Sequence, residues 1–342
     1  MQSILILEMA TSLEFWRQVY PADRRPRNPV DLPSWVSAPA SNSERIVASL
    51  GDDVWSLAPD WITPKFLAQT DGVLHTISFD IVDRCRSKTH VTHIWSGFLP
   101  HGSFYPLNSH VYIESPEFVF LSAANVLNLP QLIALGDELC GHYGFDSHEE
   151  RGFRKRCTPL TTPEGLRKYL LNARGCPGIK KATLALSHIV SKSASPMETY
   201  DEALISLPVR MGGYGLKRPE MNRQVRLTKE AARIAMKNEV YLDISWPDIN
   251  LDVEHHGKHD HSLPVDIDAD RARVNALGEM GYEVIELTKK QVDDVVAFEY
   301  IVLRIAKRIG QRIRKDALGY KPERLALRKE LSQWNRSYGK VR

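Results

Sequence analysis

The sequence predicts an α/β protein whose C-terminal half is a small α/β sandwich on a mixed sheet, preceded by an α+β N-terminal region. Three observations carry this. From residue 195 onward the elements read as helix, three strands with a hairpin, helix, strand, helix, which is a sandwich order. Residues 241–246 and 251–256 each alternate apolar and polar positions around the turn residues Pro247, Asp248, Ile249 and Asn250, so they read as a β-hairpin. A helix starting at Lys289 places Val292, Val295, Val296, Val302, Ile305 and Ile309 on one stripe.

Taken in order, residues 11–20 read as a short helix that stops at Pro21, followed by a polar stretch rich in Pro, Arg and Ser to Glu44. Short strands dominate residues 53–114, most clearly at 75–81, 90–95 and 110–113. Ser115 then caps a helix with Pro116 at its first position. Further helices are expected at 129–143, 163–172 and 178–191. Past residue 191 come a helix from Ser195 to about Leu207 and a glycine-rich loop at 211–216. That loop follows a helix, so it is no nucleotide-binding fingerprint. A strand at 224–227, the hairpin, a helix at 267–280 and a strand at 282–287 complete the series. The organisation is residues 1–190 as an N-terminal region, 191–313 as the sandwich domain and 314–342 as a basic C-terminal tail.

Composition bounds the function classes. The 342 residues are 43% hydrophobic and 25% charged, as in a soluble globular protein. The four cysteines are scattered without a CxxC pair, which reads as reduced thiols in a cytoplasmic protein and excludes a disulfide framework. The start of the chain is too short and too soon interrupted by Glu8 to read as a signal peptide, and no apolar run reaches membrane length. The net charge of +3 hides an asymmetry: residues 304–342 hold 13 Lys and Arg against 3 Asp and Glu, leaving −7 on the rest. A basic end on an acidic body is the footprint of a polyanion partner, although a solvated helix and tail explain the same charges.

The hairpin carries the chemistry. A loop of two or four residues sets Asp243 directly opposite Glu254, both on one face, with His256 two residues further along that face. Opposed carboxylates destabilise a sheet unless a cation lies between them, and paired hard oxygens suit Mg²⁺. A solvated acidic face, helped by Asp252, is the plain alternative. His90, His93, His101 and His110 read as structural histidines in strand patterns. Arg151, Arg154, Lys155 and Arg156 form a basic cluster able to touch phosphate, or simply a solvated loop.

With these residues in place, the C-terminal half resembles the PD-(D/E)XK nuclease superfamily. It is most similar there to the very-short-patch-repair-endonuclease-like domain found in AbiEi-like, abortive-infection or antitoxin-type proteins. The matching residues are Ser195-Pro-Met-Glu198, Asp243, Glu254-His-His-Gly257, Asp270-Arg-Ala-Arg273 and Gly278-Glu-Met-Gly-Tyr-Glu-Val-Ile285, in order over residues 195–309. The resemblance implies a restriction-endonuclease-like fold. It also implies a metal site of Asp243, Glu254 and Glu198 that takes Mg²⁺ or Mn²⁺. The motif's lysine is replaced by His256, which then serves as general base or transition-state donor. Lys258, just beyond, could lend its amine, and His261 falls at the first of two histidine positions, whereas Asp266 occupies the second. Glu198 has a second reading, because Ser195 to Glu198 is also a capping box.

The expected function is metal-dependent phosphodiester hydrolysis, most simply of DNA in defence or repair, with room for a homodimer and with no membrane partner. The alternatives are a non-catalytic nucleic-acid-binding regulator of antitoxin type that keeps the fold, and an interaction domain that binds neither metal nor nucleic acid.

Overall fold

The computed structural model describes residues 5–18, 28–30, 62–67, 70–81, 84–108, 110–156, 158–256, 264–314, 317–319 and 321–340. In the N-terminal half, β1 (Leu5–Leu7) is an apolar tripeptide and is the central strand of a five-stranded mixed sheet. On one side of it run β2 (Leu74–Ser78), antiparallel to β1, and β3 (His90–Ile94), parallel to β2. On the other run β5 (Val111–Glu114), parallel to β1, and the edge strand β4 (Phe104–Pro106). The chain turns at Glu8 into α1 (Met9–Gln18), and a single turn, α2 (Pro64–Leu67), precedes β2.

Serine and asparagine caps set the helix starts, as the sequence implies. Ser115 accepts from the Phe118 amide at the head of α3 (Pro116–Ala123), and Asn128 and Gln131 close a reciprocal capping box on α4 (Leu129–Leu139). Next come a two-stranded ribbon of β6 (Tyr143–Phe145) and β7 (Phe153–Lys155), then α5 (Pro163–Asn172) and α6 (Ile179–Leu186). Arg17 on α1 is buried and forks onto Glu138 of α4 at 2.8 Å through both Nε and Nη2, tying the first helix to the middle of the chain.

The C-terminal half follows the predicted order with one insertion. It runs α7 (Pro196–Ser206), β8 (Glu220–Arg226), the added short helix α8 (Lys229–Ala235), β9 (Glu239–Trp246), β10 (Leu251–His256), α9 (Pro264–Glu279) and β11 (Glu283–Thr288). The strands form a four-stranded mixed sheet in the order β11-β10-β9-β8. The first three strands are an antiparallel meander, and β11 lies parallel to β10. One hydrophobic cluster runs from Leu5 to Trp334, so packing is continuous across the expected boundary at residue 190.

Two expectations about the C-terminal end need correction. The single helix from Lys289 is two, α10 (Lys289–Asp293) and α11 (Val295–Arg308). The Asp294 carboxylate between them accepts from the Val296 and Ala297 amides and starts a new helix, which leaves Val296 48% exposed. Nor are residues 314–342 a free tail. They contain α12 (Pro322–Arg336), which buries Leu327, Leu331 and Trp334 against the main core. Its arginines are structural too. Arg324 donates to the Ala317 and Gly319 carbonyls at 2.6 Å and lies 3.8 Å over the Tyr214 ring, while Arg328 lies over Phe298. The glycine-rich loop has its reason here: at Gly212, with φ of 96°, a Cβ would sit 2.3 Å from the Glu323 carbonyl. The loop has to be bare for α12 to dock.

No helix among the described residues is long and apolar enough to cross a membrane.

Candidate functional site

The hairpin forms with the four-residue loop, a tight turn over Pro247–Ile249 closed by Asn250 at φ of 50°. Trp246 pairs with Leu251, Ser245 with Asp252 and Ile244 with Val253. That register would next oppose Asp243 to Glu254, but the ladder stops one pair short of them. On the other edge of β9, Met221 pairs with Ile244 and Arg223 with Leu242, and the pair between them, Asn222 and Asp243, is skipped, with Asn222 at φ of 45°. Packing gives the reason. Ile244 and Trp246 belong to the main core, whereas Val240 and Leu242 join a second cluster with Ala231, Ala235, Ala276 and Leu277 of α8 and α9. At Asp243, β9 passes from one cluster to the other and the strands splay.

The two carboxylates take different partners. Asp243 accepts from the His255 amide at 3.3 Å, while Glu254 takes both guanidinium nitrogens of Arg273 on α9, through Nη1 at 2.6 Å and through Nη2. The guanidinium stands where the sequence reading placed a metal ion. The solvated-face alternative fails as well, because Asp252 is fully buried and Glu254 is 4% exposed. Among the described residues, Glu198, Asp243 and Glu254 do not form a group whose ligand atoms all lie within 4.8 Å of one another.

Glu198 takes part in the start of its helix. Half of the expected capping box forms: the Ser195 hydroxyl accepts from the Glu198 amide at 3.1 Å, whereas the Glu198 carboxylate passes over the cap residue and accepts from the Ala194 amide at 2.7 Å. The same carboxyl faces Asp243: burial first, and then the Asp243 charge, push it up to about 8. Burial likewise raises Asp243, against the pull of Arg273, and raises Asp252 well above the carboxylate range with Asp243 adding to it.

His256 pairs with Thr288 in the β10–β11 ladder; its side chain lies outside the described residues, as do Gly257, Lys258, His261 and the side chain of Asp266. The imidazole in view is that of His255, on the opposite face with Leu251 and Val253. Its Nδ1 lies 2.6 Å from the buried Asp201 carboxylate of α7. Burial works against the charged ring, but the hydrogen bond and charge of Asp201 outweigh it and raise the His255 pKa.

These groups line one open cleft of about 1720 Å³. Glu198, Asp243, Glu254 and His255 lie in it beside the cations Arg151, Lys155, Arg156, Lys192, Lys237 and Arg273. Part of the basic cluster at 151–156 thus reaches the site through β7, whereas none of the described residues of the basic C-terminal end lines it. Sequence reasoning matched Arg273 and His255 to the family pattern without giving either a role, and did not single out Asp201. The signals were present: Arg273 shares a helix face with Ala276 and Leu277 at i+3 and i+4, Asp201 follows Glu198 at i+3, and His255 has the inward parity of Val253. Compared with protein-family models, with curated proteins and with solved structures, the chain matches none.

Proposed function

We propose that the cleft binds a nucleic-acid backbone and hydrolyses a phosphodiester bond with the help of a divalent cation, as a metal-dependent endonuclease acting on DNA. The observation that carries this is the polarity of the cleft: buried carboxylates that repel one another, enclosed by cations suited to phosphate. The order of helix, antiparallel meander, helix and parallel fourth strand supports the restriction-endonuclease-like reading.

The donor set fits a hard ion such as Mg²⁺ or Mn²⁺. Glu198 and Asp243 face each other, with Lys155 acting on both, and Glu254 would join them on release from Arg273. Such an ion would polarise the phosphodiester and lower the pKa of the attacking water. The chain's own residues do the rest. Lys155 and Lys192 hold the phosphate backbone, and Arg273, freed from Glu254, is placed to stabilise developing negative charge.

One observation favours a second reading, the non-catalytic nucleic-acid-binding regulator. Glu254 already has a cation in Arg273, so the site closes on itself without metal. Supercoiled plasmid incubated with Mg²⁺ or Mn²⁺ separates the two. The endonuclease reading expects nicking by the wild type and none by Asp243→Asn, with DNA binding retained in both. Binding without nicking by the wild type supports the regulator. Nicking that survives Asp243→Asn undiminished places the active site elsewhere.

A further inference from the structure

A second group of metal-ligand type lies in the other sheet, away from the cleft. Glu8 stands where β1 ends and α1 begins, and its amide donates to the His75 carbonyl at 3.0 Å, which fixes it beside β2. In the parallel β2–β3 ladder His75 pairs with Val91 and Ile77 with His93, so His75 and His93 are diagonal neighbours on one face. Their rings stack at 5.2 Å with 24° between planes. His75 Nδ1 lies 2.9 Å from His93 Nε2, which in turn lies 3.9 Å from Glu8 Oε2. All three ligand atoms fall within 4.8 Å of one another.

From this geometry we propose that Glu8, His75 and His93 form a binding site for a first-row divalent transition metal of the zinc class. Zn–N and Zn–O bonds of about 2.0–2.1 Å in a tetrahedral shell set neighbouring ligand atoms roughly 3.3 Å apart, and the observed separations bracket that value. The ligand set of two imidazoles and one carboxylate suits such metals rather than Mg²⁺. A plain hydrogen bond between the rings explains one contact only: it leaves the 3.9 Å approach of imidazole to carboxylate too long for a hydrogen bond, whereas one cation satisfies all three atoms. His93 is 44% exposed at its side chain, which gives the ion a path in and keeps one coordination position open to solvent. The sequence had placed His93 among structural histidines because its partners come from residues 8 and 75. Only the fold joins them.

The test is calorimetric titration of Zn²⁺ into chelator-stripped full-length protein, with Co²⁺ absorption as a spectroscopic probe. The wild type is expected to bind one more equivalent than His93→Ala, and to show a visible Co²⁺ band and a Zn²⁺-dependent rise in melting temperature that this variant lacks. Glu8→Gln should lose at least tenfold in affinity for the same equivalent. His93→Ala alters an exposed side chain and so tests the site without threatening the fold. Asp243→Asn should leave this equivalent untouched, which separates the site from the cleft. Equal stoichiometry and affinity in wild type and His93→Ala, or no binding by either, would overturn the assignment.

Discussion

Replacing Arg273 by Met keeps the length and apolar packing of the side chain and removes the one guanidinium that both carboxylate oxygens of Glu254 engage. The Glu254 side chain is 6% exposed, so its charge would remain buried without compensation. Breaking a fully buried pair costs about 3–5 kcal/mol; the Arg273 side chain is 20% exposed, water screens part of the loss, and the lower end, about 3 kcal/mol, is expected. Urea unfolding at pH 7 of the wild type, Arg273→Met, Glu254→Gln and the double variant measures it. If the two groups act as a pair, the double variant should be little worse than either single one. A loss below about 1 kcal/mol for Arg273→Met, or simple additivity in the double variant, would refute the argument that this pair is a structural unit. Millimolar Mg²⁺ extends the test. It should stabilise Arg273→Met more than the wild type, because the variant leaves Asp243 and Glu254 open to another cation. An equal effect on both proteins counts against an ion between those carboxylates.

Three further outcomes follow from the same geometry. Glu198 is raised from 4.5 to about 8, so the folded state holds that proton more tightly than the unfolded chain; stability should decline as pH rises through this window, and Glu198→Gln should flatten the decline in denaturation curves taken from pH 5 to 8. Parallel curves for the two proteins would refute this. Removing Lys155 and Lys192 together should lower the salt slope of DNA binding by about 2, one per phosphate contact, whereas Lys329→Ala on the exposed side of α12 should leave it unchanged. A changed slope only in the latter would return the phosphate-binding role to the C-terminal end. Trp334→Ala should cost about 3–5 kcal/mol in thermal or urea unfolding, since its ring is 1% exposed and meets Phe145 edge-on. A loss under about 1 kcal/mol would mean that α12 is peripheral after all.

Local chemistry made much of this protein legible. The caps at Ser115 and Ser195, the four-residue hairpin turn and the alternation in β9 and β10 depend on neighbours in sequence, and each element appears where those neighbours put it. The splay at Asp243 was not legible, because it arises where β9 changes from one hydrophobic cluster to another, and cluster membership is a long-range property. The basic end misled for a related reason. Its net charge is real, but Arg324 and Arg328 place their cations over aromatic rings and against carbonyls contributed by other elements. Charge counted along a chain gives no information about which charges are already paired.

The choice between Arg273 and a divalent ion follows from the charge balance of the cleft. Burial raises Glu198, Asp243 and Asp252 above their usual values, while Arg273 is already engaged by Glu254. Lys155 pulls Glu198 and Asp243 down as well, but burial outweighs it, so the site holds protons at low pH and needs further positive charge as they leave. A divalent ion supplies that charge without a proton, so its binding and the loss of the Glu198 proton are coupled by linkage. The open side of the cleft, lined by Lys155, Lys192 and Lys237, remains free for an anion. On the proposed function a phosphodiester would complete this alternation of charge, with basic wall, phosphate, cation and buried carboxylates in sequence. Arg273 would then be the group that changes partner, leaving Glu254 to the metal and turning to the phosphate.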